Sequence, residues 1–320
     1  MGEGGQRVLP AFCFVSAMSR TIPLEFSSAV PESCLRQTLC VLYLALDPLL
    51  PLGGKSTAGF DEFTAALDHA GIPAVWLTSR SRLQVDEPRR KYGHVHPFVA
   101  EDGCGVYLPE DYFHLRPATS GSRPGRSDQG STLRLGRFTC IPIAQPLPSA
   151  SEALESLSTE TGVPIVTLQS LSSRELAQNT GLPARQAELA RQRDFDELFF
   201  FAGTSNEQVT QFLADGCKKG VAFRPRGAVW SAAIGASMKR CISELSRLYD
   251  RALRYHATSL AVATADLAPG LFPFCDRSIL LAEDKAESRN PHSTRYQQAR
   301  EIHMFGKWWE QLLEAVGGKS

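Results

Sequence analysis

Leu39-Cys40-Val41-Leu42-Tyr43-Leu44-Ala45-Leu46 is the stretch on which the fold turns. It is an unbroken apolar run followed at once by the turn-forming pair Asp47-Pro48. Such a run reads as a strand buried on both faces, the condition of a central strand in a parallel sheet. Phe60 to Ala70 comes next, with Phe63, Ala66 and Leu67 at helical spacing and Gly71 at its end. Pro73 to Thr78 (PAVWLT) is then a second short apolar strand. Strand, helix and strand at this spacing predict a βαβ unit. Phe98 to Ala100 and Gly105 to Tyr107 continue the sheet around a turn that contains Gly103.

Farther along, Ala118 to Thr132 (ATSGSRPGRSDQGST) is polar and rich in Gly, Ser and Pro, without apolar periodicity. It reads as a linker. Strand-like Phe138 to Ile143, Pro164 to Leu168, Leu198 to Ala202 and Val221 to Arg224 then alternate with helical Ser149 to Thr159, Ser173 to Gln178, Pro183 to Gln192 and Glu207 to Cys217. That alternation predicts an α+β module. The α/β habit returns with a long amphipathic helix over Met238 to Tyr255 and apolar strands at Ser259 to Thr264 and Ile279 to Leu281. The expected fold class is therefore α/β: a doubly wound, Rossmann-like parallel sheet over residues 39–118 and 225–320. A linker at 119–133 and an inserted α+β module at 134–224 complete it, with residues 1–38 as a flexible N-terminal extension.

Composition narrows the partners. Lys plus Arg and Asp plus Glu number 34 each, so the basic excess of a nucleic-acid binder is missing and a small molecule is the expected partner. The eight cysteines include no C-x-x-C pair, which indicates neither a zinc knuckle nor a disulfide framework and reads as reduced thiols in the cytoplasm. Leu9 to Met18, the most apolar part of the N-terminus, is broken by Pro10 and too short to span a bilayer. His94 and His96 share one face of a possible strand. With no third ligand nearby they read as a surface pair, and no metal is assigned to them.

In an open parallel sheet, functional groups collect at the carboxyl ends of strands, which directs attention to Ala45 to Leu50, Thr78 to Arg82, Lys239 and Thr264 to Ala268. The order of these points, with an α+β insert between the second and third, resembles haloacid-dehalogenase-type (HAD) phosphatases with a large cap, closest to the mannosyl-3-phosphoglycerate phosphatases. Three stretches carry the resemblance, which runs from about residue 41 onward. Thr78-Ser79-Arg80-Ser81-Arg82 is similar to the family's T-S-K-T-R. Pro97-Phe98-Val99-Ala100-Glu101-Asp102-Gly103, with His96 before it, is similar to D-P-F-I-x-E-N-G. In the insert, Thr180-Gly181-Leu182 and Arg191 to Glu197 (RQRDFDE) resemble T-G-L and R-x-F-D-E-P-F.

The resemblance implies a chemistry. These phosphatases use D-x-D-G-T, in which the first aspartate attacks phosphorus and the second acts as acid and base. Here the stretch is Ala45-Leu46-Asp47-Pro48-Leu49. The acid/base position matches at Asp47, while the nucleophile position holds a methyl group that cannot attack. The family's later G-D-x-x-N-D, whose aspartates help hold Mg²⁺, corresponds to Ala263-Thr264-Ala265-Asp266-Leu267-Ala268, so Asp47 and Asp266 are the metal-ligand candidates. Thr78, Ser79 and Lys239 match phosphoryl-binding positions. The resemblance adds Arg80, Glu101, Gly103 and Arg193 as ligand-contacting positions. The family's G-R-F-W-H becomes Gly227-Ala228-Val229-Trp230-Ser231, without its arginine and histidine.

Three functions remain open on this reading. The first is a degraded phosphatase, a binding or regulatory remnant that takes a sugar phosphate, a phosphoglycerate-type ligand or a protein partner without hydrolysing it. The second is an active Mg²⁺-dependent hydrolase of mannosyl-3-phosphoglycerate or a related sugar phosphate, and the third a structural subunit. Mg²⁺ is implied only by the second, and the sequence sets no oligomeric state.

Overall fold

β1 (Cys40–Ala45) runs through the interior of the large sheet, and its side chains part strictly by parity. Leu42 and Leu44 enter a core with Phe60, Phe63, Trp76 and Trp308, whereas Val41, Tyr43 and Ala45 enter a second core with Cys241, Ile242 and Leu245. The continuous apolar run is what a strand covered on both faces requires. Trp76 and Trp308 are each 1% exposed, and side chains buried this completely contribute about 2–3 kcal/mol apiece.

The computed structural model describes residues 39–52, 55–113, 132–227, 229–282, 299–304 and 306–317. The expected extension at 1–38 lies outside the described residues, as does all of the expected linker but Thr132 and Leu133. After β1 come α1 (Phe60–Ala70), β2 (Ala74–Leu77), α2 (Arg82–Lys91), β3 (Phe98–Ala100), β4 (Gly105–Pro109), β5 (Leu133–Leu135) and β6 (Phe138–Pro142). The chain continues through α3 (Leu147–Thr161), β7 (Ile165–Thr167), α4 (Ser173–Thr180), α5 (Ala184–Arg191), β8 (Glu197–Phe201), α6 (Asn206–Lys218), β9 (Val221–Arg226) and β10 (Val229–Ile234). It closes with α7 (Met238–Leu253), β11 (Thr258–Ala263), α8 (Ala268–Leu271), β12 (Arg277–Ala282), β13 (Arg300–His303) and α9 (Trp308–Gly317).

The large sheet has the order β13-β12-β11-β1-β2-β3-β4-β6-β5. Its strands are parallel from β13 to β3, with Leu42 opposite Leu260 and Leu44 opposite Trp76, and antiparallel from β3 onward. This is the expected doubly wound α/β core. The chain departs from β1 toward β2 on one side and returns to β11 on the other, so the switch point of the sheet lies between β1 and β11. A four-stranded antiparallel sheet, β7-β8-β10-β9, is inserted between β6 and α7, and its core joins Leu154, Phe199, Phe212 and Val221.

Strand pairing differs from the sequence expectation at two places. Residues 134–142, assigned to the inserted module, extend the large sheet because β6 pairs with β4, Tyr107 opposite Cys140. Val229–Ile234, inside the bounds expected for the core although the resemblance puts Gly227 to Ser231 on the insert's last strand, pairs with β8 and β9 of the small sheet, Ser231 opposite Leu198 and Arg224. Short strands carry no mark in their own residues of which sheet they join; pairing partners decide that.

His94 and His96 are not the surface pair the sequence suggested. The His94 ring stacks on Trp76 at 3.9 Å between centroids, and both residues are largely enclosed. Arg89 Nη1 donates to His94 Nδ1 at 2.6 Å, which leaves Nε2 to donate to the Ala74 carbonyl at 2.7 Å and fixes a neutral tautomer.

The turn between β3 and β4 is built from Glu101, Asp102 and Gly103, all in the left-handed region at φ 52°, 55° and 91°. Gly103 is needed there twice over. Its conformation favours glycine, and an added Cβ would lie 2.8 Å from the Met238 backbone nitrogen. The start of α7 rests on this turn, with Ser237 N donating to the Gly103 carbonyl at 3.0 Å. Gly103→Ala is expected to cost about 1–3 kcal/mol, from left-handed strain and the displacement of α7. An unchanged urea midpoint would refute that account of the turn.

Candidate functional site

At the carboxyl ends of β1, β2 and β11, on the switch-point side, lies a cavity of about 190 Å³. Asp47, Thr78, Ser79, Asp102 and Asp266 line it from the large sheet, and Arg224 and Arg226 line it from β9 of the small sheet. The walls of the site thus come from two separate folding layers.

Asp47 lies two residues past β1 and is held by three hydrogen-bond donors and one ion pair. Thr78 Oγ1 donates to Oδ1, and Ser79 donates to Oδ2 through its backbone N–H at 2.8 Å and its hydroxyl at 2.7 Å. Arg80 Nε stands 3.3 Å from Oδ1. Arg80 is itself 5% exposed and also donates to the Leu50 carbonyl, so it is fixed from both sides. Burial pulls its pKa down, and the Asp47 charge opposes that. The hydroxyls of Thr78 and Ser79, expected to meet a phosphoryl oxygen, are therefore spent on Asp47. Ala45 does not line the cavity; its methyl group is fully buried in the apolar core beside Leu77 and Ala263.

Lys239, expected to neutralise phosphate, is exposed in the first turn of α7, and its ammonium lies 5.4 Å from the Phe274 ring centroid. It does not line the cavity; its neighbour Met238 does. In its place the cavity receives two guanidiniums that sequence reading passed over. On β9, Val221 and Phe223 face the small sheet's core while Arg224 and Arg226 share the opposite face. The signal was present as V-A-F-R-P-R, an apolar alternation whose other face is charged. Arg226 ion-pairs with Asp102, which is 5% exposed. Burial lowers the pKa of Arg226, and the carboxylates of Asp47 and Asp266 raise it.

Glu101, Gly103 and Arg193 stand behind the cavity wall. Glu101 Oε1 accepts from Asp194 N at 3.0 Å, and Oε2 accepts from Phe195 N at 2.8 Å and Asp196 N at 3.1 Å. Arg193 ion-pairs with Asp196, and its Nη2 donates to the Ser79 carbonyl at 2.7 Å. The sequence grouped these residues as ligand contacts because the resemblance did. In the structure Glu101 and Arg193 tie the strand-end turns of the large sheet to the segment that leads into β8.

Asp266 does share the cavity with Asp47, and Thr264 Oγ1 donates to it. A divalent ion does not fit this set. A hard dication needs several free oxygen ligands, yet the Asp47 oxygens are filled by donors, Asp102 is taken by Arg226 and residue 45 carries no carboxylate. Among the described residues no group of three or more His, Cys, Asp or Glu side chains is placed to hold a metal ion. No described helix is long and apolar enough to cross a membrane.

Comparison with known proteins agrees with the fold. The chain is 25% identical over 146 residues to a glucosyl-3-phosphoglycerate/mannosyl-3-phosphoglycerate phosphatase of Methanococcoides burtonii, a match covering 45% of this chain and 49% of that one. The chain spans about half the length of the curated relatives it matches. A haloacid dehalogenase-like hydrolase from Bacteroides thetaiotaomicron superposes with a TM-score of 0.56 at 10% identity, over 87% of this chain and 98% of that one. A HAD subclass IIB sugar phosphatase superposes with a TM-score of 0.53 at 11% identity, over 87% of this chain and all of that one. No family model matches the chain. The fold is that of the HAD superfamily, and the chain resembles its mannosyl-3-phosphoglycerate phosphatases.

Proposed function

We infer that this HAD-fold chain binds a phosphorylated small molecule of the sugar-phosphate or phosphoglycerate type and does not hydrolyse it. The observation that carries the reading is the nucleophile position. Ala45 is fully buried among apolar side chains, and the neighbouring carboxylate, Asp47, is immobilised by three hydrogen bonds and the Arg80 ion pair. An anion would enter the cleft between the large sheet and a cap, which we place at residues 143–236 on strand pairing. Sequence similarity to enzymes that act on mannosyl-3-phosphoglycerate supports that compound as the first ligand to try.

The test is calorimetric titration with mannosyl-3-phosphoglycerate beside a phosphate-release assay in Mg²⁺. Saturable binding without phosphate release is expected. Ala45→Asp is expected to restore no turnover, because the new carboxyl would sit in an apolar core, where burial keeps it neutral. Phosphate release by the wild type that vanishes in Asp47→Asn would establish a hydrolase, and absence of binding would equally overturn the reading.

A further inference from the structure

We propose that Arg226 is the resident cation of this cleft, standing in for a divalent ion, so that the cleft takes a phosphate-class anion on Arg224 without metal. The inference rests on the binding reading above and adds to it the means by which charge is balanced.

Three carboxylates reach one cavity from three separate strand ends: Asp47 after β1, Asp102 in the β3–β4 turn and Asp266 after β11. Carboxylates gathered in a partly desolvated site repel one another and would repel phosphate, unless a cation is supplied. In this chain the cation is covalent. Arg226 comes across from the small sheet, pairs with Asp102 and has Asp47 and Asp266 as the other charges acting on it. A guanidinium stays protonated in proteins, so the charge is permanent and needs no ion.

Arg224 supplies the ligand-directed part. It lies two residues before Arg226 on the same face of β9 and lines the same cavity. Unlike Arg80 and Arg226, it makes no ion pair among the described residues. Its fork of N–H donors suits a phosphate group in a bidentate manner. Asp47 is compensated by Arg80 and Asp102 by Arg226, which leaves Arg224 as the donor available to an incoming anion and Asp266 as the one carboxylate that tempers it.

The experiment titrates inorganic phosphate into the full chain by calorimetry, once with EDTA and once with millimolar Mg²⁺, for the wild type, Arg224→Ala and Lys239→Ala. Equal wild-type affinity in the two buffers is expected, with a loss of about tenfold or more in Arg224→Ala from the removed charge-assisted pair. Phosphate binding that requires Mg²⁺ would overturn the inference and leave the binding reading standing. Loss of binding in Lys239→Ala with Arg224→Ala unaffected would overturn it too, and so would no binding of phosphate in either buffer. Arg224 is only partly buried and makes no ion pair, so its alanine variant keeps the test on a folded protein. Arg226→Lys, which retains the charge, is expected to bind phosphate in EDTA better than Arg226→Met.

Discussion

Glu101→Ala is expected to lower the unfolding free energy by about 3–5 kcal/mol, the cost of breaking one side of a buried charged network. The carboxyl is 1% exposed and accepts three consecutive backbone N–H groups, those of Asp194, Phe195 and Asp196. Truncation leaves all three donors buried without partners and strips Arg193 of one of its two acidic neighbours. Burial and the adjacent Asp196 carboxylate push Glu101 up to about 8, and the Arg193 guanidinium opposes that. Glu101→Gln keeps an acceptor and no charge, and is expected to lose clearly less than Glu101→Ala. Urea unfolding of the three proteins at neutral pH checks the order. Equal losses in both variants would mean that packing, not hydrogen bonding, holds the turn. Because Asp102 follows Glu101 directly in a left-handed turn, the alanine variant should also loosen the Asp102–Arg226 pair and weaken phosphate binding.

The core was legible in the sequence because its strands are covered on both faces, and such strands announce themselves as continuous apolar runs. β1, β2 and β11 were found this way, and α1 was read to its last residue from Phe63 and Leu67 with Gly71 behind them. α2 was missed: Pro88 and a charged composition hide it. The capping box of Ser81 and Gln84 was a usable signal that went unread. The site was less legible than the fold, since a motif says which residues sit at strand ends but not what they hold. Thr78 and Ser79 line the cavity, yet their donors are turned on Asp47. Arg224 and Arg226 escaped notice because they lie on a strand of the insert, and only the packing of that insert over the large sheet brings them to the cavity and Arg226 to Asp102.

The His96 imidazole supplies a measurable acid liability. Burial, and next the Arg89 guanidinium, lower its pKa from 6.5 to about 4, and its Nδ1 is engaged with the Tyr112 hydroxyl at 2.8 Å. The sign follows from proton counting. Between pH 6.5 and about 4 the unfolded chain binds a proton at this residue that the folded chain refuses, so stability falls as the pH falls through that window and levels off below it. One proton is worth about 1.4 kcal/mol per pH unit, which gives about 3 kcal/mol across the window. The wild-type profile alone does not isolate the effect, because Glu101 and Glu197, raised to about 8 and about 7, bind protons on folding and act in the opposite direction over the same range. The difference between wild type and His96→Gln removes those shared contributions. Near pH 7.5 the variant is expected to be the less stable, by about 1 kcal/mol for the altered hydrogen bond to Tyr112. Toward pH 4.5 the order is expected to reverse, since glutamine carries no titration. Parallel urea profiles at every pH would show that His96 protonates as readily in the folded protein as in the unfolded chain, and that its contacts with Arg89 and Tyr112 do not hold it neutral.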